Sequence, residues 1–224
     1  MTLISNGLNN SALSHQIAEA LSEEILSGKY LPGSRIKQDE IAEKYKASRS
    51  PVREALQMLA SAGLVRLIAH TGAWVAELNL NECEEMYLIR ENIEPLMLRF
   101  SLPNLNVNAI KELDSLCKKM EANSDPEKFL KLDREFHLLS YQGAETALLG
   151  EMVHRMWNTT QHYRRAYTVL LQKNSFVNAH YEHHLLVAAI QRHDVDDAAR
   201  VLFGHIRRTR VELANHPELF TTRN

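Results

Sequence analysis

The sequence predicts a mainly α-helical protein, an N-terminal winged helix-turn-helix followed by an all-α helical bundle. Three observations carry that prediction. The stretch SRSPVREAL, residues 48–56, reads as a short helix with Arg49 and Arg53 one turn apart on the same face. Two runs rich in Val, Leu, Ile and Trp, residues 64–68 and 73–78, flank His70-Thr71-Gly72 as strands flank a hairpin tip. Beyond Leu80 the strand signal disappears and apolar residues recur at helical spacing only.

Taken in order, residues 1–10 are polar and read as a flexible tail. Leu13, Ile17, Ala20, Leu21 and Ile25 follow helical spacing over residues 11–27, and Gly28 stops that helix. Leu31-Pro32-Gly33 is a turn, followed by a short helix over 38–45 with Ile41 and Ala42 inward. Lys46-Ala47-Ser48 turns into the next helix. There Ser50 offers a capping oxygen, Pro51 a preset φ, and Val52, Ala55, Leu56 and Leu59 an apolar back. Ala62-Gly63 ends it, and the hairpin that follows is a wing. These elements make residues 11–78 one domain and 79–224 a second, all-helical one.

In the second domain Met86, Ile89, Ile93, Leu96, Met97 and Phe100 mark a helix over 82–100. Pro95 sits inside it, placed to kink it, and Pro103 ends it. Residues 107–121 form another, with Ile110, Leu113, Leu116 and Cys117 inward. Asp125-Pro126 is a cap and first-turn pair opening a helix to about 141, and Gly143 breaks it. A long helix follows over about 145–172. Asn174 or Ser175 opens the next, to 192, and Asp194, Asp196 and Asp197 cap the last, to about 214.

With 224 residues there is room for two modest domains, and a net charge of −2 excludes a global basic field. Nucleic-acid binding must then rest on a local patch. Residues 29–53 hold seven Lys/Arg against three Asp/Glu, a surplus of four (7 − 3). Cys83 and Cys117 lack metal or redox spacing and read as reduced thiols of a cytoplasmic protein. No apolar run approaches the length of a membrane span, and no export signal is expected.

A helix with a buried back and Arg49 and Arg53 in front is built to enter the DNA major groove, where arginine pairs with guanine or holds phosphate. Ser48 and Ser50 at its start, Arg35 before the short helix, and His70, Thr71 and Gly72 at the wing tip complete the expected DNA surface. The competing reading is a winged helix used for protein contacts, with the arginines as a solvated face. In the second domain Asp133 and His137 share a helix face, His183 lies in line with Leu186, Val187 and Ile190, and His205 lies beside Ala198, Val201 and Leu202. His184 falls off its stripe. One carboxylate and three imidazoles thus point inward. That set is competent for Zn, Ni or Mn; the alternative is three hydrogen-bonded core histidines.

The string EEILSGKYLPGSRIKQDEIAEKYKASRSPVREALQMLASAGLV, continued to HTGAWV, resembles the GntR family of bacterial transcription regulators, and the all-helical half resembles the FadR-type subfamily with an FCD domain. The resemblance implies a homodimer on a pseudo-palindromic double-stranded DNA operator, controlled by a small carboxylate effector. It places Arg49 and Arg53 on the family's DNA-contacting arginines and Gly72 on its wing glycine. Gln38 and Asp39 depart from members with a basic contact early in the second helix. DREFH, EHHLLVAAI and GHI follow the metal-binding branch and select Asp133, His137, His183 and His205 as ligands. Arg90 matches an arginine of the family pocket that would hold the effector; an intrahelical Arg90–Glu94 pair is the alternative. The whole reads as a regulator and not an enzyme. A metalloregulator sensing the ion itself is the first alternative, and a metalloenzyme on the His/Asp site the second.

Overall fold

The computed structural model describes residues 3–171 and 177–220. The chain divides into two compact units. The first runs to Leu78 and includes His154–His162; the second holds Asn79–Val153 and the residues from Tyr163 on.

In the first unit α1 (Leu3–Leu26), α2 (Gln38–Lys44) and α3 (Arg49–Ser61) surround one apolar core, with β1 (Arg35–Ile36), β2 (Val65–Ile68) and β3 (Gly72–Val75) beside them. The strands form one antiparallel sheet in the order β1-β3-β2, pairing Arg35 with Trp74 and Arg66 with Trp74 across its two edges. Ile17, Leu21, Ile36, Val52, Leu56, Leu64 and Ala73 fill the core, each within a few per cent of full burial. Gly28 and Gly63 close α1 and α3 at φ +78° and +77°, left-handed positions where a Cβ would strain the backbone.

Three local features differ from the sequence reading. Helix α1 takes in residues 3–10, assigned to a flexible tail; no proline interrupts that stretch, so the helix continues backward through it. The N-cap of α3 is Ser48, two residues earlier than Ser50, and its side chain makes no capping hydrogen bond. Pro51 therefore sits third in the helix, which it tolerates because the first N–H groups have no intrahelical partner to lose. Strand β1 forms where the sequence predicts only the approach from the 31–33 turn to the short helix; two residues are too few to show a period of two.

The second unit consists of α4 (Leu80–Ser101), α5 (Val107–Glu121), α6 (Pro126–Ser140), the Tyr163-onward part of α7 (Ala147–Leu171) together with its first turns, α8 (Val177–Gln191) and α9 (Val195–Ala214), with 3-10 turns at Leu102–Asn104 and Pro217–Phe220. The helix opening expected at Asn174 or Ser175, and the helix end at Gln172, lie outside the described residues. Caps fall where side chains reach the first N–H groups. Asn79 and Glu82 form a reciprocal capping box on α4, Asn106 accepts from Ala109 N, Asp125 from Glu127 N and Asp194 from Asp197 N.

Helix α4 packs on α9, α9 on α8, and α5 on both α6 and α8. The orientation of α4 reverses the expectation. Its buried face carries Cys83, Tyr87, Arg90, Glu91, Glu94, Met97, Leu98 and Ser101. Of the stripe read as its core face, Met97 is buried, Met86 and Ile93 are half-buried, and Ile89, Leu96 and Phe100 are exposed. The inward charged groups are met by each other, by Tyr141 and by α9. Arg90 Nε donates to Glu94 Oε1 at 2.5 Å, Tyr141 Oη to Glu94 Oε2 at 2.8 Å, and Arg210 Nε to Glu91 Oε1 at 2.5 Å. Among the described residues no helix is long and apolar enough to cross a membrane.

Candidate functional site

Three helices of the second unit bring Asp133 and His137 (α6), His183 (α8) and His205 (α9) together, each offering one ligand atom, all within 4.8 Å of one another. Asp133, His137 and His183 are buried and His205 is nearly so. His183 Nε2 lies 3.0 Å and His137 Nε2 3.6 Å from Asp133 Oδ1. The imidazoles of His137 and His183 meet edgewise with ring centres 5.4 Å apart, those of His137 and His205 stack at 5.1 Å, and those of His183 and His205 are tilted at 4.9 Å. Phe136 walls the cluster, its ring 5.2 Å from His137 and 4.9 Å from His183.

The set fits a divalent transition metal on two counts. Neither ring nitrogen of His183, both out of contact with water, makes an aligned hydrogen bond, although buried polar atoms are costly to leave unmatched. Three imidazoles and a carboxylate are also the donors that Zn, Ni and Mn accept. The protonation states suit the same role. Burial would raise the Asp133 carboxyl, but the Arg164 guanidinium and the imidazoles beside it hold it well below the usual carboxylate range. Burial depresses His137 far below its ordinary value and also lowers His205, so both are neutral, lone-pair-bearing ligands.

Two residues missed by sequence reasoning complete the surroundings. Arg164 of α7, itself buried, pairs with Asp133 Oδ2 and leaves Oδ1 to the histidines. As half of the pair Arg164-Arg165 it carries no sequence signal beyond a charged helix face; Arg165 in fact holds Glu127 at 2.7 Å through two nitrogens. Glu182 of α8 contacts His205, and its place beside His183 was visible without its direction being so. His184 turns outward to Glu121, 3.2 Å away, as its position off the stripe implied. Arg90 is buried, with Glu94 on Nε and its guanidinium 4.7 Å from the Tyr87 ring centre. The intrahelical pair is therefore present.

In the first unit Ser48, Arg49, Ser50 and Arg53 all lie exposed along the start of α3. Arg49 Nε donates to Asp39 Oδ1 of α2 at 2.9 Å, so the acidic residue noted as a departure orients this guanidinium. Arg35 lies over the Trp74 ring at 5.9 Å. His70 and Thr71 are exposed at the hairpin tip, where His70 adopts φ +63°, and Gly72 follows at φ +110°. Arg66, exposed on β2 opposite Trp74, adds a cation to the wing that the sequence reading passed over.

Residues 85–208 match the model of the FCD domain, and residues 13–75 that of the bacterial regulatory proteins of the gntR family. The HTH-type transcriptional regulator McbR of Escherichia coli (strain K12) is 26% identical over 202 residues, covering 87% of this chain and 90% of that protein. The HTH-type transcriptional repressor RspR of the same strain is 23% identical over 206 residues, covering 87% and 86%. Among solved structures, E. coli McbR/YncC superposes with a TM-score of 0.76 at 24% identity, covering 91% of this chain and 98% of that one, a likeness of fold. A GntR family transcriptional regulator from Pseudomonas syringae pv. tomato str. DC3000 gives 0.58 at 26% identity, covering 92% and 86%.

Proposed function

The chain belongs to the gntR family of bacterial regulatory proteins with an FCD domain, a DNA-binding transcriptional regulator, and from that premise we propose that a small carboxylate bound at a metal in the helical unit sets its operator affinity. The observation that carries this reading is the convergence of Asp133, His137, His183 and His205 within 4.8 Å. Its relatives are regulators, which sets the metalloenzyme alternative aside. Zn, Ni or Mn held there would supply positive charge and, in octahedral coordination, would leave one or two positions beyond the four protein ligands for a carboxylate oxygen. Arg90, held through Nε by Glu94, is the partner for a second carboxylate.

On DNA, Arg49 and Arg53 read bases or phosphate from the major groove, supported by Ser48 and Ser50, while Arg35, His70, Thr71 and Gly72 reach the flanking backbone or minor groove. One winged helix is a small interface for specific binding, so two copies dock on half-sites about one helical turn, or a multiple of it, apart. The exposed Ile89, Leu96 and Phe100 on α4 support a homodimer, since an apolar stripe of that kind is usually covered.

The test is a titration of organic acids into metal-loaded protein on operator DNA, with fluorescence anisotropy as readout. A change in DNA affinity at fixed metal supports the carboxylate sensor. A response to metal addition alone, unaffected by any acid, assigns the signal to the ion.

A further inference from the structure

Glu182 precedes His183 on α8, yet its carboxylate serves α9. Oε2 lies 2.7 Å from His205 Nδ1, Oε1 accepts from Arg208 Nε at 2.7 Å, and Arg208 Nη2 closes a second contact on Oε2. A carboxylate held by a guanidinium has acceptor oxygens only, so the hydrogen in the contact with Nδ1 belongs to the imidazole. A neutral imidazole carries one N–H, which leaves the Nε2 lone pair of His205 for the cluster. Arg208 Nη2 also approaches Nδ1, at 3.4 Å. It competes poorly with a charge-assisted contact at 2.7 Å, and Glu182 Oε2 engages both groups.

We propose that Glu182 is a positioning residue of the metal centre, holding His205 as the Nδ1–H tautomer and aiming Nε2 at the ion shared with Asp133, His137 and His183. The inference rests on the metal centre advanced above and adds to it an outer partner: an anionic acceptor behind a ligand imidazole fixes its ring and raises its basicity. Glu182 and His183 are adjacent on α8, so this one turn supplies a ligand directly and orients a second ligand on α9.

The experiment has two readouts. In metal-free protein at about pH 8, above the ordinary histidine pKa, nitrogen-15 NMR of labelled histidines should show His205, assigned by its loss in His205→Gln, protonated at Nδ1 and bare at Nε2. Glu182→Ala should abolish that preference, and Glu182→Gln, which keeps an acceptor oxygen, should retain most of it. In zinc titrations against a competing chelator, Glu182→Ala should weaken binding by about 10–100-fold, with Glu182→Gln closer to the parent. In a His205→Ala background the same Glu182→Ala change should leave zinc affinity essentially unaltered. An equal loss in both backgrounds would mean that Glu182 acts through helix packing and not through His205, and would overturn the proposal. So would an Nε2–H tautomer in the parent, or a parent and a Glu182→Ala variant that bind zinc alike. A parent that binds no zinc would instead refute the metal centre, and the role of Glu182 with it.

Discussion

Replacing Arg164 with Met tests how the cluster holds its charge. The substitution keeps a long apolar stem in α7 and removes the cation from Asp133 Oδ2, while Asp133 stays buried at 4% exposure. Removing one partner of a buried ion pair leaves an uncompensated charge, at a cost of about 3–5 kcal/mol. For a protein of this size a change of 1 kcal/mol moves Tm by about 2–4 °C, so metal-free Arg164→Met should melt about 6–20 °C lower. A divalent ion places positive charge on the same carboxylate, so saturating zinc should shrink the difference between variant and parent. Asp133→Asn combined with Arg164→Met removes both charges, and in metal-free protein should recover most of the loss. Differential scanning calorimetry reads the parent and Arg164→Met with chelator and with zinc, and the double variant with chelator. Equal losses with and without zinc, or a double variant no more stable than Arg164→Met, would refute the argument that Arg164 balances the metal-ligand carboxylate.

Arg49→Ala and Arg53→Ala should each weaken operator binding by roughly 1–3 kcal/mol, by gel-shift titration, with the oligomeric state unchanged; parental affinity in both would remove α3 from the DNA interface. Metal analysis of purified variants should show His183→Ala largely depleted and His184→Ala close to the parent, because His184 faces Glu121 on the outer side; the reverse pattern would exchange their roles. Metal-free stability should be complete above about pH 6.5 and decline as pH falls below it. The sign follows from burial, which lowers the folded pKa of His137 and His205, so the unfolded chain takes up protons first; Arg164 opposes protonation of His137, while Asp133, and Glu182 at His205, favour it. Urea melts across pH 5 to 8 that show no such decline would contradict neutral, buried ligands.

The amino-acid sequence by itself determined the order of the helices and the wing hairpin, and the faces that carry Asp133, His137, His183 and His205. Periods of 3.6 and 2, glycine stops and aspartate caps are local physics, and Asp133 with His137, or His183 with Leu186 and Ile190, share a face whatever surrounds them. Only the tertiary structure decided which face of α4 turns inward. An apolar stripe measures how strongly a helix prefers burial, not whether the burial occurs within the chain or elsewhere. Here Arg90, Glu91 and Glu94 face in because Tyr141 and Arg210, far along the chain, meet two of their carboxylates. The same limit hid Arg164 and Glu182. Their contacts join α7 to α6 and α8 to α9, and the hydrogen-bond geometry that gives a charged side chain its role exists only once those helices have packed.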